Sequence, residues 1–198
     1  MANDTRERIL EAALTSFAEK GYEGTNLLDI AESVGIVKSA IYRHFSGKEE
    51  LWRTVIDLME EYYDDRFGSE KNLPKVPGSC EELIDMTMHM VDFTIHDPRV
   101  IKTRKILLME QFRDERVKEL ATKHFLTGLE TMFAELFKGM MENGSLKKDD
   151  PKMLALAYTS PVSALIHLCD REPEKEQEIL KTIKDFAEHF VEIYGLRS

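Results

Sequence analysis

The feature that most restricts the fold of this chain is the spacing of Ala31, Gly35 and Ile41 near its N-terminus. Two short helices that cross closely need a small residue on the first helix, and Ala31 is small. The turn between them needs a residue that tolerates a positive φ, and Gly35 follows four positions later. Ile41, six positions further on, supplies a branched apolar side chain to fill the space between the helices. This spacing predicts a helix-turn-helix.

The second helix of this motif is expected to lie in the major groove of DNA. Its polar residues are Lys38, Ser39, Tyr42, Arg43 and His44. Lys38 is the candidate for reading a base edge, because lysine reaches the acceptors of guanine. Tyr42 and His44 are candidates for phosphate contacts that fix the register. Ser39 is small, so the backbone there can approach DNA closely.

Two further candidates for phosphate contacts lie at predicted helix N-termini, where backbone N–H groups favour anions. They are Thr25, before the first helix of the motif, and Lys48, at the start of the next helix. For three residues the pattern leaves an alternative open. Tyr42 could be a core aromatic, Arg43 an ordinary solvated charge, and His44 merely an exposed side chain.

The charge of the chain is strongly acidic in total but unevenly distributed. The formal net charge of −10 argues against non-specific binding of nucleic acid. Residues 36–48, however, contain Lys38, Arg43, His44 and Lys48 and no Asp or Glu. One short basic window in an acidic protein favours a single defined face for a polyanion and repels it elsewhere.

The same segment carries a family resemblance. Thr25 and the runs DIAESVGI (29–36) and KSAIYRHFSGKEELW (38–52) strongly resemble the DNA-binding domain of TetR-family repressors. The pair Tyr42 and Phe45, followed by Gly-Lys-Glu-Glu-Leu, is especially similar to that family. The resemblance implies a homodimer with about nine helices that binds a palindromic operator under the control of an effector.

The resemblance has limits. It covers about residues 5–55, and the rest of the chain is similar only in length and helical layout. Val37 is a departure, because the family usually has Ser or Thr there to cap the recognition helix. For this reason Val37 is not included among the predicted DNA contacts.

The remaining chain is predicted to be helical throughout, because no convincing period-2 alternation occurs. The predicted fold is all-α, with a three-helix helix-turn-helix domain over 1–47 and a linker helix plus effector-binding and dimerisation domain over 48–198. The expected helices begin near Asp4, where Asp4 and Glu7 resemble a capping box, and then occupy about 26–34, 37–45, 48–67, 80–96, 98–113, 114–142, 150–169 and 174–194. A loop is predicted over 68–79, and Pro161 is expected to kink its helix.

The larger domain contains many methionines and phenylalanines, which suit an adaptable apolar pocket. The predicted effector contacts are Met86, His89, Met90, Phe93, Met109, Phe112 and Phe133. An ordinary core is the alternative for the apolar residues, and a satisfied surface or core group for His89. Apolar stripes on the last two helices predict a four-helix dimer interface, with internal core packing as the alternative.

Several functions are excluded or expected to be absent. The sequence contains no nucleophile elbow, phosphate-binding loop, dinucleotide fingerprint or zincin motif, so no enzyme is predicted. No metal site or cofactor is expected, and Cys80 and Cys169 are interpreted as reduced thiols. A cytoplasmic protein without a membrane span is expected. The alternatives to an effector-released repressor are a helical protein-interaction module without DNA binding and a regulator that responds to no effector.

Overall fold

The predicted all-α fold is confirmed by the computed structural model, which describes residues 2–67 and 73–196. Its α-helices are α1 (Ala2–Gly24), α2 (Leu27–Val34), α3 (Lys38–Ile41), α4 (Lys48–Phe67), α5 (Cys80–His96), α6 (Pro98–Glu110), α7 (Glu115–Thr122), α8 (Gly128–Glu142), α9 (Pro151–Arg171) and α10 (Glu176–Tyr194). A π-helical turn, Lys123–Thr127, joins α7 to α8. If these three are counted as one helix, the described residues contain nine helices, as predicted.

Several helix ends differ from the prediction. The recognition helix α3 ends at Ile41, and Arg43 and His44 continue it with N–H bonds to carbonyls three residues back, at 3.2 and 2.9 Å. The helix predicted over 98–113 ends at Glu110, and the one predicted over 114–142 contains the π turn. Within the last turns of α1, Gly21 is a non-helical residue with a φ of 67°.

Two other local expectations concern the ends and the course of helices. Asp4 lies in the first turn of α1 and not at its cap, because the helix begins at Ala2. The helix α9 continues through Pro161, and the kink expected there stays a prediction. Of the predicted loop, residues 68–72 lie outside the described residues, and 73–79 contain no helix.

The described chain forms two compact units, and the first consists of the residues up to Arg66 together with Pro98–Ala121. Its core is built from apolar faces of α1, α2, α4, α6 and α7, because their buried residues recur at helical spacing. The fully buried or nearly fully buried members include Ile9, Phe17, Ile30, Leu51, Ile56, Ile106 and Val117. The helix-turn-helix therefore shares one core with α4, α6 and α7. The boundary between residues 47 and 48 stays a prediction.

The second unit consists of Phe67–Asp97 and the residues from Thr122 onward. Its centre is an aromatic cluster around Tyr158, whose ring centroid lies 4.6 Å from that of Phe190 and 5.4 Å from that of Phe133. The Tyr158 hydroxyl lies 2.8 Å from that of Thr87 on α5, which gives this buried polar atom a partner. Burial raises the pKa of Tyr158 to about 12.

The helix α9 bears on the expectation that the protein has no membrane span. Among the described residues it alone is long and apolar enough to cross a membrane by length and composition, a property that core helices of soluble proteins share.

Cys80 is half-buried and Cys169 is buried, and both are free thiols. No cluster of potential metal ligands occurs in the described part of the chain.

Candidate nucleic-acid interface

The turn of the helix-turn-helix has the geometry that its sequence requires. Gly35 adopts a φ of 73° at the C-terminus of α2, where its N–H bonds to carbonyls of the last helical turn. The next amide, that of Ile36, donates to the Ala31 carbonyl at 2.9 Å. Ala31 and Ile41 are both fully buried, so the small residue and the branched residue meet the two requirements of a close helix crossing.

The start of α2 is capped by Asn26, whose side-chain oxygen accepts the Leu28 N–H at 2.9 Å. The Thr25 side chain, just before this cap, is buried. The Thr25 hydroxyl donates to the Gly21 carbonyl at 2.8 Å and lies 3.2 Å from the Ser16 hydroxyl. Its single proton is therefore used inside the protein.

The five predicted contacts of the recognition segment lie together over residues 38–44. Lys38, Ser39 and Arg43 are exposed, and His44 is half-buried. Tyr42 is 51% exposed, which makes it a surface residue and excludes the core alternative within this unit. Burial of Ile41 and Phe45 directs the intervening polar residues outward.

Lys48 lies against the end of α1. Its ammonium donates to the Glu23 carbonyl at 3.3 Å and lies 4.4 Å from the centroid of the Tyr22 ring. The Tyr22 hydroxyl in turn donates to the Glu49 carboxylate at 2.8 Å. Burial, followed by this hydrogen bond, raises the pKa of Tyr22 to about 12, and the bond lowers the pKa of Glu49. These contacts attach the start of α4 to the end of α1.

Some residues that position this surface were not found from the sequence. Arg8 donates to the Val34 carbonyl at 2.6 Å and so satisfies the C-terminus of α2. The Arg6 guanidinium lies 5.1 Å from the centroid of the Phe45 ring. Both arginines lie on α1, distant in sequence from their partners, and no local pattern indicates such pairs. Val37 makes no side-chain cap, consistent with its departure from the family pattern.

The predicted effector residues are divided between the two units. Met86, Met90 and Phe133 pack in or against the aromatic core of the second unit. Phe93 is half-buried in the same unit, whereas His89 is exposed, with its Nδ1 atom 2.8 Å from the Asp85 carbonyl.

Met109 and Phe112 belong to the first unit, where they are 38% and 89% exposed. The first unit also contains an open cleft of about 830 Å³, lined by residues of α1, α2, α4 and α6. None of the seven predicted effector residues lines this cleft.

Comparison with protein families identifies the chain. Residues 9–55 match the model of bacterial regulatory proteins of the tetR family, and residues 81–196 match the C-terminal domain of AefR-like transcriptional repressors. The second match covers more than half of the chain. The chain belongs to the TetR family. It is therefore a DNA-binding transcriptional regulator and not an enzyme, as predicted.

Individual relatives agree with the assignment of this chain to the TetR family. It is 28% identical to the transcriptional repressor KstR2 of Rhodococcus jostii over 163 residues, covering 77% of this chain and 73% of KstR2. It is 43% identical to the regulator TtgR of Pseudomonas putida, but over 54% of this chain and 50% of TtgR.

The fold of the TetR regulator is similar to solved structures over its whole length. It superimposes on SmeT, crystallised as a complex with triclosan, with a TM-score of 0.72 and 23% identity, covering 98% of this chain and 93% of SmeT. SmeT is the repressor of a multidrug efflux pump of Stenotrophomonas maltophilia. At this level of identity the likeness shows the fold alone.

Proposed function

We propose that this TetR-family regulator is a homodimeric repressor that a small, largely apolar effector releases from a palindromic operator. The observation that carries the proposal is the set of exposed residues Lys38, Ser39, Tyr42 and Arg43, held by a buried Ala31–Ile41 crossing in an otherwise acidic chain. KstR2 is named as a repressor, and SmeT is a repressor whose structure contains triclosan, which supports both the repression and the release by a small molecule.

The proposed DNA contacts are divided by chemistry. Lys38, exposed at the start of α3, reads a base edge, and Ser39 beside it permits close approach of the backbone. Tyr42, Arg43 and His44 contact phosphates or the adjacent groove wall.

The two remaining candidates lie at the end of α1. The Lys48 ammonium has three donors, and a phosphate can use those that its contact with Glu23 leaves. We propose that Thr25 acts through the turn that it holds, since its hydroxyl proton and its backbone N–H are both bonded within the protein.

The proposed effector site uses Met86, Met90, Phe93 and Phe133 of the second unit. Their support is that three of them surround or join one apolar core, in which thioethers can adjust to a ligand. The exposed positions of His89, Met109 and Phe112 give those residues no comparable support. Such an effector would bind more tightly to a conformation in which the two recognition segments of the dimer do not match the operator spacing. It would thereby shift the population of dimers away from the DNA-binding conformation.

The proposed dimer interface is formed by α9 rather than by the predicted stripe of α10. The α10 residues Ile179, Ile183, Ala187 and Phe190 are buried within the chain, so the core alternative accounts for them. On α9 an exposed row of mostly small residues remains, namely Met153, Ala157, Ser160 and Ala164. Pairing of this row about a two-fold axis would place two recognition segments for consecutive half-sites, ~34–36 Å apart on DNA.

The test is a titration of the full-length protein with fluorescent duplex DNA, first the segment upstream of its own gene and then duplexes recovered by random-sequence selection. We expect tight binding whose affinity falls steeply with salt. Lys38→Ala should reduce the preference for operator over random DNA by roughly tenfold, the size of a lost base contact of about 1–3 kcal/mol.

The matched control is Lys105→Ala, which removes an exposed lysine from α6 and should leave the preference unchanged. The titration is made at two salt concentrations. If no duplex binds at either of them, the protein-interaction alternative replaces the repressor. If DNA binds but no small molecule ever changes the affinity, the effector-independent alternative is correct.

A further inference from the structure

A buried carboxylate lies at the last residue of α6. Glu110 is only 3% exposed, and its Oε1 atom accepts the backbone N–H of Tyr22 at 3.0 Å. The Arg113 guanidinium lies 3.8 Å from the same oxygen and is itself mostly exposed. Burial of a charged group costs stability unless hydrogen bonds compensate, so the hydrogen bond to Tyr22 is a necessary part of this arrangement.

The backbone that faces Glu110 is shaped to receive it. Gly21 has a φ of 67°, and its non-helical conformation exposes the following N–H. A Cβ at Gly21 would lie 2.5 Å from Oε1 of Glu110, a distance that no relaxed contact has. The absence of a side chain at Gly21 therefore serves both the turn and the close approach of the carboxylate.

The turn that Glu110 holds is the point from which α2 and α4 are both positioned. The Gly21 carbonyl accepts the Thr25 hydroxyl at 2.8 Å, and the Tyr22 carbonyl accepts the Thr25 N–H at 3.3 Å, which places the start of α2. The Tyr22 hydroxyl and ring hold Glu49 and Lys48, which places the start of α4.

We propose that Glu110 is a positioning residue for operator binding, which holds the recognition segment in its DNA-competent orientation through the Gly21–Tyr22 turn. It makes no contact with DNA. Because α2 and α4 flank the recognition segment on either side in sequence, a displacement of the last turn of α6 changes the placement of both. This inference depends on the proposed function, since it needs an operator as the readout.

The test separates the length of the side chain from its charge. Glu110→Asp keeps the carboxylate but withdraws it from Tyr22 by about one C–C bond, ~1.5 Å. Glu110→Gln keeps the length and an oxygen acceptor but removes the charge. The matched control is Glu119→Asp, an exposed carboxylate on α7. Operator affinity of the full-length dimer is measured by anisotropy with the selected duplex, and folding by circular dichroism.

We expect Glu110→Asp to weaken operator binding roughly tenfold, the effect of losing one hydrogen bond to a charged group. Glu110→Gln and Glu119→Asp should stay within about threefold of the original protein. Hydrogen exchange provides a second readout: the Tyr22 amide and the first amides of α2 should exchange faster in Glu110→Asp, while those of α9 are unchanged.

Other outcomes overturn the inference. If Glu110→Asp binds as tightly as the original protein, the carboxylate does not position the recognition segment. If Glu110→Gln is weakened as much as Glu110→Asp, an acceptor at full length does not preserve binding, and the hydrogen bond to Tyr22 is not what positions the recognition segment. Failure of the unsubstituted protein to bind any selected duplex is a different result, because it contradicts the proposed function and leaves the hydrogen exchange at Tyr22 as the test of the contact.

Discussion

Gly35 has a φ of 73°, and a Cβ added there would meet no atom within 4 Å. Space is therefore available at this position, and only the backbone conformation selects glycine. Gly21 differs, because a Cβ there would also collide with Glu110. Glycine is thus required at these two positions for different reasons. At Gly35 the backbone conformation alone requires it, and at Gly21 the conformation and the close approach of Glu110 both require it.

Gly35→Ala should lower the free energy of unfolding by about 1–2 kcal/mol, the cost of a left-handed conformation for an L-residue. Gly35→Asn should cost less, because asparagine tolerates that conformation better. Urea unfolding followed by circular dichroism measures both values.

The control for Gly35 is Gly47→Ala, another position with open space but without a positive φ. It should cost less than Gly35→Ala. Equal losses at the two positions would show that φ is not the reason for glycine at Gly35.

Helices of the second unit are joined by a polar pair within an aromatic core. The Thr87 hydroxyl of α5 donates to the Leu83 carbonyl at 2.8 Å, so the Tyr158 hydroxyl of α9 donates to Thr87. Both side chains are almost completely buried. The register between α5 and α9 is therefore specified by hydrogen bonding as well as by apolar packing.

Thr87→Val should destabilise the protein by about 1–3 kcal/mol, because it leaves the buried Tyr158 hydroxyl without an acceptor. Tyr158→Phe alone removes that hydroxyl and should cost less. The double variant should be more stable than the sum of the single losses predicts, which a double-mutant cycle by urea unfolding measures. Strict additivity would mean that the two hydroxyls do not interact in solution.

At the scale of the whole molecule, the proposed repressor requires a second copy of the chain. The exposed row on α9 is mostly small and apolar, so two copies of the helix can approach closely. The acidic net charge of −10 opposes any association that lacks such a specific contact.

Ala157→Glu should dissociate the dimer, because it buries two unpaired carboxylates near a two-fold axis at a cost of several kcal/mol. Sedimentation velocity at micromolar concentration should then show a single chain of 22.9 kDa. Operator affinity should fall with it, since one recognition segment no longer assists the other.

Gln177→Glu adds the same charge at an exposed position of α10 and should leave the dimer intact. A dimer of unchanged stability in Ala157→Glu would place the interface elsewhere.

The sequence by itself determined the all-helical fold and the helix-turn-helix. Ala31, Gly35 and Ile41 could be interpreted because helix crossing and turn conformation depend on residues only a few positions apart. The exposure of Tyr42 also followed from local pattern, since Ile41 and Phe45 take the buried positions next to it. The length of α3 could not be predicted in this way. After Ile41 two backbone N–H groups bond to carbonyls three residues back instead of four, and this change leaves almost no trace in the spacing of apolar side chains.

Only the tertiary structure decided which apolar stripe is core and which buried polar atoms meet. The stripe of α10 is as apolar as an interface would be. Only its packing against α5 and α9 shows that it is internal. Glu110 and Tyr22 are 88 residues apart, and neither lies in a pattern that indicates the other. The physical reason is that a hydrogen bond between distant segments depends on how helices pack, whereas helix periodicity reports only that each of them has a buried face.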